Sequence, residues 1–296
     1  MKKKVIIIAG PTASGKTNLS IKLAIFFKGE IINSDSVQIY KEFNIGAAKI
    51  SIKEKKNIKH HLLDKIGLNQ KYSIYDFQKD VRSVIPKINI PFLVGGSGLY
   101  IKSALFNYEF QETMNNNKKK ISEIKLDINQ MLEIIEKKDP NLVFDKKNPH
   151  RVIRAFRNTF QKTLRSEKIG KNIPLFDILT LYLDIPLPIL KERIIIRLEK
   201  MLELGFIEEV QNLTKKFPKF NFNIIGYREI KLFLEQKIDL STAKSYIITK
   251  TLRYAKRQKT WFKNQFDSLI ILDALCFNLT EKAISLISNF LKKDNN

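Results

Sequence analysis

The chain has 296 residues, 44% of them apolar, and a formal net charge of +23. That length can bury one sizeable core with a smaller second lobe, and no apolar run reaches the roughly eighteen residues of a membrane span. The single cysteine, Cys276, excludes an internal disulfide and a thiolate-cage zinc site and fits a reducing cytoplasm. The charge points to a polyanionic partner, nucleic acid first. Lys, Ile, Asn and Phe are all frequent, as AT-rich coding would produce, so the placement of the cations carries more than their total.

Met1 to Lys4 has the lysines of a leader peptide, but the apolar run behind it is short and reads as a mature strand. That run, Val5-Ile6-Ile7-Ile8-Ala9, is rich in β-branched residues and predicts a buried strand. Gly10, Pro11, Thr12, Ala13, Ser14, Gly15, Lys16 and Thr17 follow, and Leu19, Leu23, Ile25 and Phe26 then recur at helical spacing. Strand, G-x-x-x-x-G-K-T, helix is the P-loop arrangement. Its glycines let successive N–H groups and a helix N-terminus face one anion. Lys16 adds a point charge, and the Thr17 hydroxyl can hold Mg2+. The motif asks for an oligophosphate without saying which, or whether a phosphate is transferred.

Ile31 and Ile32 end a second strand, and Asn33 to Ser36 form a polar turn at its C-terminal end. Ligands of open α/β sheets sit at such strand ends, so Asp35 faces the phosphate site. Its position alone allows a helix cap, an outer-shell Mg2+ ligand or a catalytic carboxylate. His60 and His61 have no second cluster of Cys or His to make a metal site with them. A helix runs from about Tyr72 to Ile85, capped by Ser73. Ile90 to Val94 predicts a third buried strand, running into Gly95-Gly96-Ser97-Gly98 and a helix, which places Ser97 beside the P-loop. The carboxylate pair of a Walker-B ATPase is missing from that strand, which counts against ATP hydrolysis. Asp184, after the apolar run 178–183, is the nearest substitute.

Residues 112–147 differ in composition, with the basic loop Asn115 to Lys120 and apolar spacing over Ile121–Glu136, and read as a small helical insertion. Arg151, Arg154 and Arg157 share one helix face, and Arg193 and Arg197 share another on a helix that Gly205 ends; both faces are candidates for phosphate contacts. Lys244–Lys263 holds Lys244, Lys250, Arg253, Lys256, Arg257, Lys259 and Lys263, no acidic residue, and Tyr246, Tyr254, Trp261 and Phe262 between them. Such a segment suits nucleic acid, cations on phosphates and rings on bases, or a basic helix whose rings are core. A closing strand and helix follow from Ile270, and no repeat or Gly/Ser linker divides the chain.

The order of GPTASGKT, INSDSVQIY, HHLLD, YSIYDF, VGGSGLYIK, RIIIR, GFIEEV, IGYRE and AKRQKTWFK resembles the bacterial tRNA dimethylallyltransferases, also called isopentenyltransferases, from Val5 to about Lys263. The resemblance implies an α/β fold, a P-loop NTPase-like parallel sheet flanked by helices. Its core is 1–111 and 148–296, the latter including a helical tRNA-binding part, and 112–147 is the insertion. It implies transfer of a dimethylallyl group from dimethylallyl diphosphate to the N6 amine of the adenine 3′ of the anticodon, in tRNAs reading codons that start with U. Diphosphate leaves, which suits a P-loop without ATPase machinery.

By the same resemblance, Gly10 to Thr17 hold the diphosphate, Mg2+ sits at Thr17, and Lys16 and Arg197 neutralise the leaving group. Ser97 stands where the family usually has Thr, near the bridging oxygen, and Asp35 is the base. Asp35, Ser36, Val37, Gln38 and Ser97 meet the target nucleotide. Lys119, His150, Arg151, Arg154, Asn223, Gly226, Tyr227, Arg228, Lys256, Arg257 and Lys263 meet the tRNA anticodon stem-loop. The implied protein is a cytoplasmic monomer without a membrane segment. Gly46-Ala47-Ala48-Lys49 lacks the usual Thr and the Pro after Lys, Lys147-Asn148-Pro149 replaces Pro-Asn-Asp, and Lys263 replaces Arg; these changes bear on tRNA affinity rather than chemistry. A P-loop kinase acting on a small molecule or nucleotide and a non-catalytic tRNA-binding protein are the competing readings.

Overall fold

Val5 to Ala9 are buried without a break, and they make β1 (Lys4–Ala9) the spine of a parallel sheet. A strand covered on both faces is expected to read as an unbroken apolar run rather than an alternating one. The computed structural model describes residues 1–110, 126–161, 163–168 and 170–293. After the phosphate-loop motif come α1 (Lys16–Phe27), β2 (Glu30–Asn33) and the short β3 (His60–His61). Then follow α2 (Ile74–Val84), β4 (Pro91–Gly95) and α3 (Gly98–Leu105).

Ser73 caps α2 as its sequence predicts, in a reciprocal box with Asp76. Two helices, α4 (Ile128–Lys138) and α5 (Pro149–Asn158), precede β5 (Asp177–Asp184). The chain closes with α6 (Leu187–Glu203), α7 (Phe206–Lys216), α8 (Tyr227–Leu234), α9 (Leu240–Gln265), β6 (Leu269–Asp273) and α10 (Leu279–Lys292). Gly205 separates α6 from α7 at φ 94°, a left-handed position suited to glycine.

The sheet runs β3-β2-β4-β1-β5-β6, all parallel. Ile6 stands opposite Phe92 on one side and Leu179 on the other. Ile6, Ile8, Phe92 and Leu181 meet Leu23 and Ala24 of α1 and Ile287 and Phe290 of α10 in one core cluster. Tyr182, next in register, packs against Phe262 of α9 with ring centroids 5.3 Å apart. A second cluster joins Phe43 to α6, α7, α8 and α9 through Leu198, Phe206, Val210, Tyr227 and Ile247. With strands parallel, every C-terminal strand end lies along one edge of the sheet, and the loops leaving β1, β2 and β4 gather there.

The chain divides into two compact units, one of Met1–Leu105 with Phe176–Asn296 and one of Phe106–Leu175. The second unit is wider than the insertion expected at 112–147. It takes in the arginine helix α5, because Val152, Ala155 and Phe156 bury themselves against Ile135 of α4. The basic loop Asn115 to Lys120, with Lys119, and the start of the helix expected from Ile121 lie outside the described residues.

Candidate active site

The loop between β1 and α1 is held by local bonds. Ser14 Oγ donates to the Pro11 carbonyl at 2.8 Å and Lys16 Nζ donates to the same oxygen at 2.5 Å. Gly15 takes φ 91°, which costs a glycine nothing, and starts α1. Lys16 and Thr17 both line a cavity of about 720 Å³ within the larger unit. Burial, and then the nearby Arg197 cation, pull the Lys16 pKa down to about 7, while Asp35 opposes the shift.

Asp35 follows β2 and lines the same cavity. Asn33 receives the Asp35 N–H at 3.2 Å, and its own amide donates to the carbonyls of Asp35 and Leu62, each at 3.2 Å. Asp35 Oδ1 then accepts the Val37 N–H at 2.8 Å and the Gln38 N–H at 3.4 Å. That is the capping job its position allows, and it occupies only one oxygen. Among the described residues no group bonds Oδ2, so the carboxylate caps its own turn and still has an acceptor for a ligand.

The turn after β4 brings Gly95, Gly96 and Ser97 into the cavity wall. It is held from α9: Gln258 Nε2 donates to the Gly96 carbonyl at 2.8 Å, and a Cβ on Gly98 would lie 2.1 Å from the Trp261 ring. Gln258 Oε1 is buried with no partner among the described residues. From α6, one turn apart, come Arg193 and Arg197. Arg193 donates to the Ala13 carbonyl at 3.4 Å and the Arg197 charge acts on Lys16, so both arginines stand beside the phosphate loop. Burial pushes the Arg197 pKa down and Asp35 pushes it back up.

The remaining expected positions divide. Ser36, Val37, Gln38, Asn223 and Gly226 line the cavity. Arg228 is exposed and donates to Asn223 at 3.2 Å. Tyr227 is fully buried, with its hydroxyl donating to Glu209 at 2.6 Å, so it supports the wall instead of offering a surface. His150, Arg151 and Arg154 lie on the exposed side of α5 in the smaller unit, where Asn148 caps the helix by accepting the His150 N–H at 3.1 Å.

The basic tail is α9, and its inner half is core. Phe262 is buried, Trp261 covers Gly98 and Tyr254 lines the cavity, whereas Tyr246 remains outside. Several tail cations are spent internally: Lys244 on Glu199 and Lys250 on Glu229, each at 2.7 Å, and Lys259 on Asp184 at 2.6 Å. Arg253, Lys256, Arg257 and Lys263 stay exposed. The Lys259 pair engages the carboxylate of Asp184 that was the nearest substitute for a Walker-B acid. His61 is bound to Glu30 at 2.6 Å and His60 to the Ile58 carbonyl at 2.8 Å, so each histidine has a structural partner. Glu209 and Gln258 are not marked by their own residue types; only their places within GFIEEV and AKRQKTWFK point to them.

Fold and site together define a P-loop protein whose cavity joins the phosphate-loop motif, two arginines and a carboxylate with a free oxygen. Residues 38–265 match the IPP transferase family, and the chain belongs to it. A tRNA dimethylallyltransferase of Phytoplasma australiense is 53% identical over 293 residues, 98% of this chain and 99% of that one. One from Acholeplasma laidlawii is 48% identical over 289 residues, 98% of this chain and 99% of that one. Among solved structures, a eukaryotic dimethylallyltransferase acting on tRNA superposes with a TM-score of 0.86 at 28% identity, covering 98% of this chain and 80% of that one. The tRNA isopentenylpyrophosphate transferase of Staphylococcus epidermidis gives 0.73 at 32%, covering 97% of this chain and 100% of that one. Among the described residues no helix is long and apolar enough to cross a membrane.

Proposed function

We propose that this chain transfers the dimethylallyl group of dimethylallyl diphosphate to the N6 amine of the adenine 3′ of the anticodon in tRNA, releasing diphosphate. One observation carries the reading: a single cavity holds the phosphate loop, the Arg193–Arg197 pair and Asp35 with Oδ2 free. Breaking the allylic C–O bond leaves its electron pair on the diphosphate. Lys16, Arg197 and the backbone N–H groups of the loop stabilise that growing charge. The Ser97 hydroxyl donates toward the bridging oxygen. The N6 lone pair forms the new C–N bond, and Asp35 Oδ2 takes the proton that the nitrogen then sheds.

An exocyclic adenine amine is a poor nucleophile, and a base within a stacked anticodon loop cannot reach a cavity, so the adenine leaves the stack first. The Thr17 hydroxyl lines the cavity, is exposed and has no hydrogen-bond partner among the described residues, which fits one oxygen ligand of Mg2+. An ion held by Thr17 would supply further charge neutralisation to the leaving group. Ser36, Val37 and Gln38 meet the target nucleotide, and Lys256, Arg257 and Lys263 follow the RNA backbone.

Family membership favours this reading over a kinase, as does the engagement of Asp184 by Lys259. The test is nucleoside mass spectrometry of unmodified tRNA incubated with the protein, dimethylallyl diphosphate and Mg2+. Dimethylallyl-adenosine is expected, and Asp35→Ala is expected to abolish it. No product from folded protein on a suitable anticodon loop would overturn the reading.

A further inference from the structure

The cavity wall also includes Gly46, Ala47 and Ala48, a stretch of backbone with little side chain of its own to hold it. It is gripped by a residue that does not line the cavity. Glu209, on α7, accepts the N–H groups of Asn44 and Ile45 on Oε2 at 3.2 and 2.8 Å. On Oε1 it accepts the Gly46 N–H at 3.1 Å and the Tyr227 hydroxyl at 2.6 Å. Successive backbone N–H groups converging on one anion form a nest, and hydrogen bonds to a charged acceptor are the strong ones. The loop lies flat on α7, since a Cβ at Gly46 would stand 2.1 Å from the Phe206 ring. Its other end is tied by the Lys49 ammonium, which donates to the Tyr40 carbonyl at 2.8 Å and to Asn44 Oδ1 at 3.0 Å.

What the loop then holds is Gln38. Its Nε2 donates to the carbonyls of Ala47 at 3.0 Å and Ala48 at 3.4 Å. Two carbonyl partners settle which end of the carboxamide is the NH2, because an amide oxygen there would face two acceptors. The oxygen of Gln38 is therefore the end left over, on a side chain that lines the cavity.

We propose that Glu209, with Tyr227, is a positioning residue for target-base selection. By fixing the backbone at Asn44–Gly46 it sets the Ala47 and Ala48 carbonyls, and these turn Gln38 so that the base meets an acceptor. An acceptor welcomes an exocyclic amine and opposes a carbonyl at the same ring position, so the device favours adenine over hypoxanthine. Discrimination through a polar group left unpaired by the wrong partner is large compared with discrimination by shape. The inference rests on the tRNA-prenylation reading of the cavity and deepens it.

The experiment uses anticodon stem-loop RNA with adenine at the target position, and the same RNA with hypoxanthine there as competitor. Wild type, Glu209→Gln, Gln38→Ala and the double variant are compared in kcat/KM for RNA, KM for dimethylallyl diphosphate, competitor inhibition and melting temperature. Glu209→Gln keeps the shape but sets an NH2 among N–H donors. It is expected to lower kcat/KM for RNA about tenfold, leave the KM for the diphosphate substrate unchanged, and narrow the preference for adenine over hypoxanthine. In the Gln38→Ala background the same substitution is expected to cost little, since the two act as one unit. An active wild type whose base preference survives Glu209→Gln, with penalties that simply add to those of Gln38→Ala, would overturn the proposal alone. A wild type inactive on adenine RNA would overturn the prenylation reading and the proposal with it. If Glu209→Gln does not fold, Tyr227→Phe removes one hydroxyl and takes its place in the cycle: loss of base preference supports the proposal, and a surviving preference with additive penalties overturns it.

Discussion

Two glycine-rich turns stand at the ends of the neighbouring strands β1 and β4, and they need their glycines for different reasons. In the first, the requirement at Gly15 is internal, since it adopts φ 91° and has no heavy atom within 4 Å of where a Cβ would be, although a Cβ at Gly10 would stand 2.9 Å from the Leu183 carbonyl oxygen of β5. In the second it is external: the space at Gly98 is taken by the Trp261 ring, and Gln258 bonds the Gly96 carbonyl. One turn carries much of its geometry in its own residues. The other borrows it from a helix more than a hundred and fifty positions later in the chain. The bonds of Ser14 and Lys16 to Pro11 hold the first from within, whereas the second is held chiefly by α9.

The sharpest break in this comparison is Lys16→Ala. It is expected to cut kcat about a thousandfold by removing a positive group aimed at the departing diphosphate, and to leave the melting temperature near that of wild type. Single-turnover kinetics with a thermal melt checks both. Next in size is Gly98→Ala, which forces a methyl group into the Trp261 ring and is expected to cost roughly 2 kcal/mol of stability. Gly15→Ala is expected to cost about 1 kcal/mol through its left-handed backbone. Adding Trp261→Ala should recover part of the loss from Gly98→Ala and none of that from Gly15→Ala. Equal rescue of both in denaturant titrations would erase the distinction between the two turns.

A pH series tests the first turn again. With the Lys16 pKa at about 7 in the free protein, the ammonium is present below that pH and disappears above it. A bound diphosphate favours the charged form, so binding above pH 7 requires proton uptake. Affinity for dimethylallyl diphosphate is expected to fall by up to about tenfold per unit above pH 7, once the titration of the diphosphate itself is subtracted, until the pKa of the complex is reached. Lys16→Met should flatten that limb. The smallest effect is expected outside both turns, on the exposed side of α9. Arg257→Ala or Lys256→Ala should raise the KM for RNA a few-fold, lower the dependence on salt by about one phosphate contact, and leave the KM for the diphosphate substrate unchanged.

The same helix shows where reading a sequence succeeds and where it stops. Interleaved cations and rings in α9 are consistent with an RNA-binding face and with a basic helix packed on a core. Both descriptions apply, to opposite sides: Arg253, Lys256, Arg257 and Lys263 outside, Gln258 and Phe262 inside. Composition cannot divide them, because Lys259 is chemically the same residue whether it meets a phosphate or Asp184. Asp35 is a similar case. A turn after a strand allows a cap or a catalytic carboxylate, and the two oxygens permit both at once. The smaller unit exceeds the span its sequence suggests for a related reason: α5 looks like a continuation of the core until Val152 and Phe156 are seen to pack on Ile135.

By itself the sequence determined what depends on neighbours along the chain. That covers the buried β1, the phosphate loop with Lys16 and Thr17, the Ser73 cap and the polar turn at Asp35, because strand periodicity, glycine dihedrals and capping bonds act over a few residues. The ordered set of motifs also pointed to the family. Only the tertiary structure decided which distant groups meet in the cavity. Arg193 and Arg197 come to the phosphate loop from α6, Gln258 fixes the turn at Gly96, and Glu209 grips the backbone that orients Gln38. Those contacts are short-range in space and long-range in sequence, and a hydrogen bond carries no trace of its partner's position until the parallel sheet has brought the strand ends together.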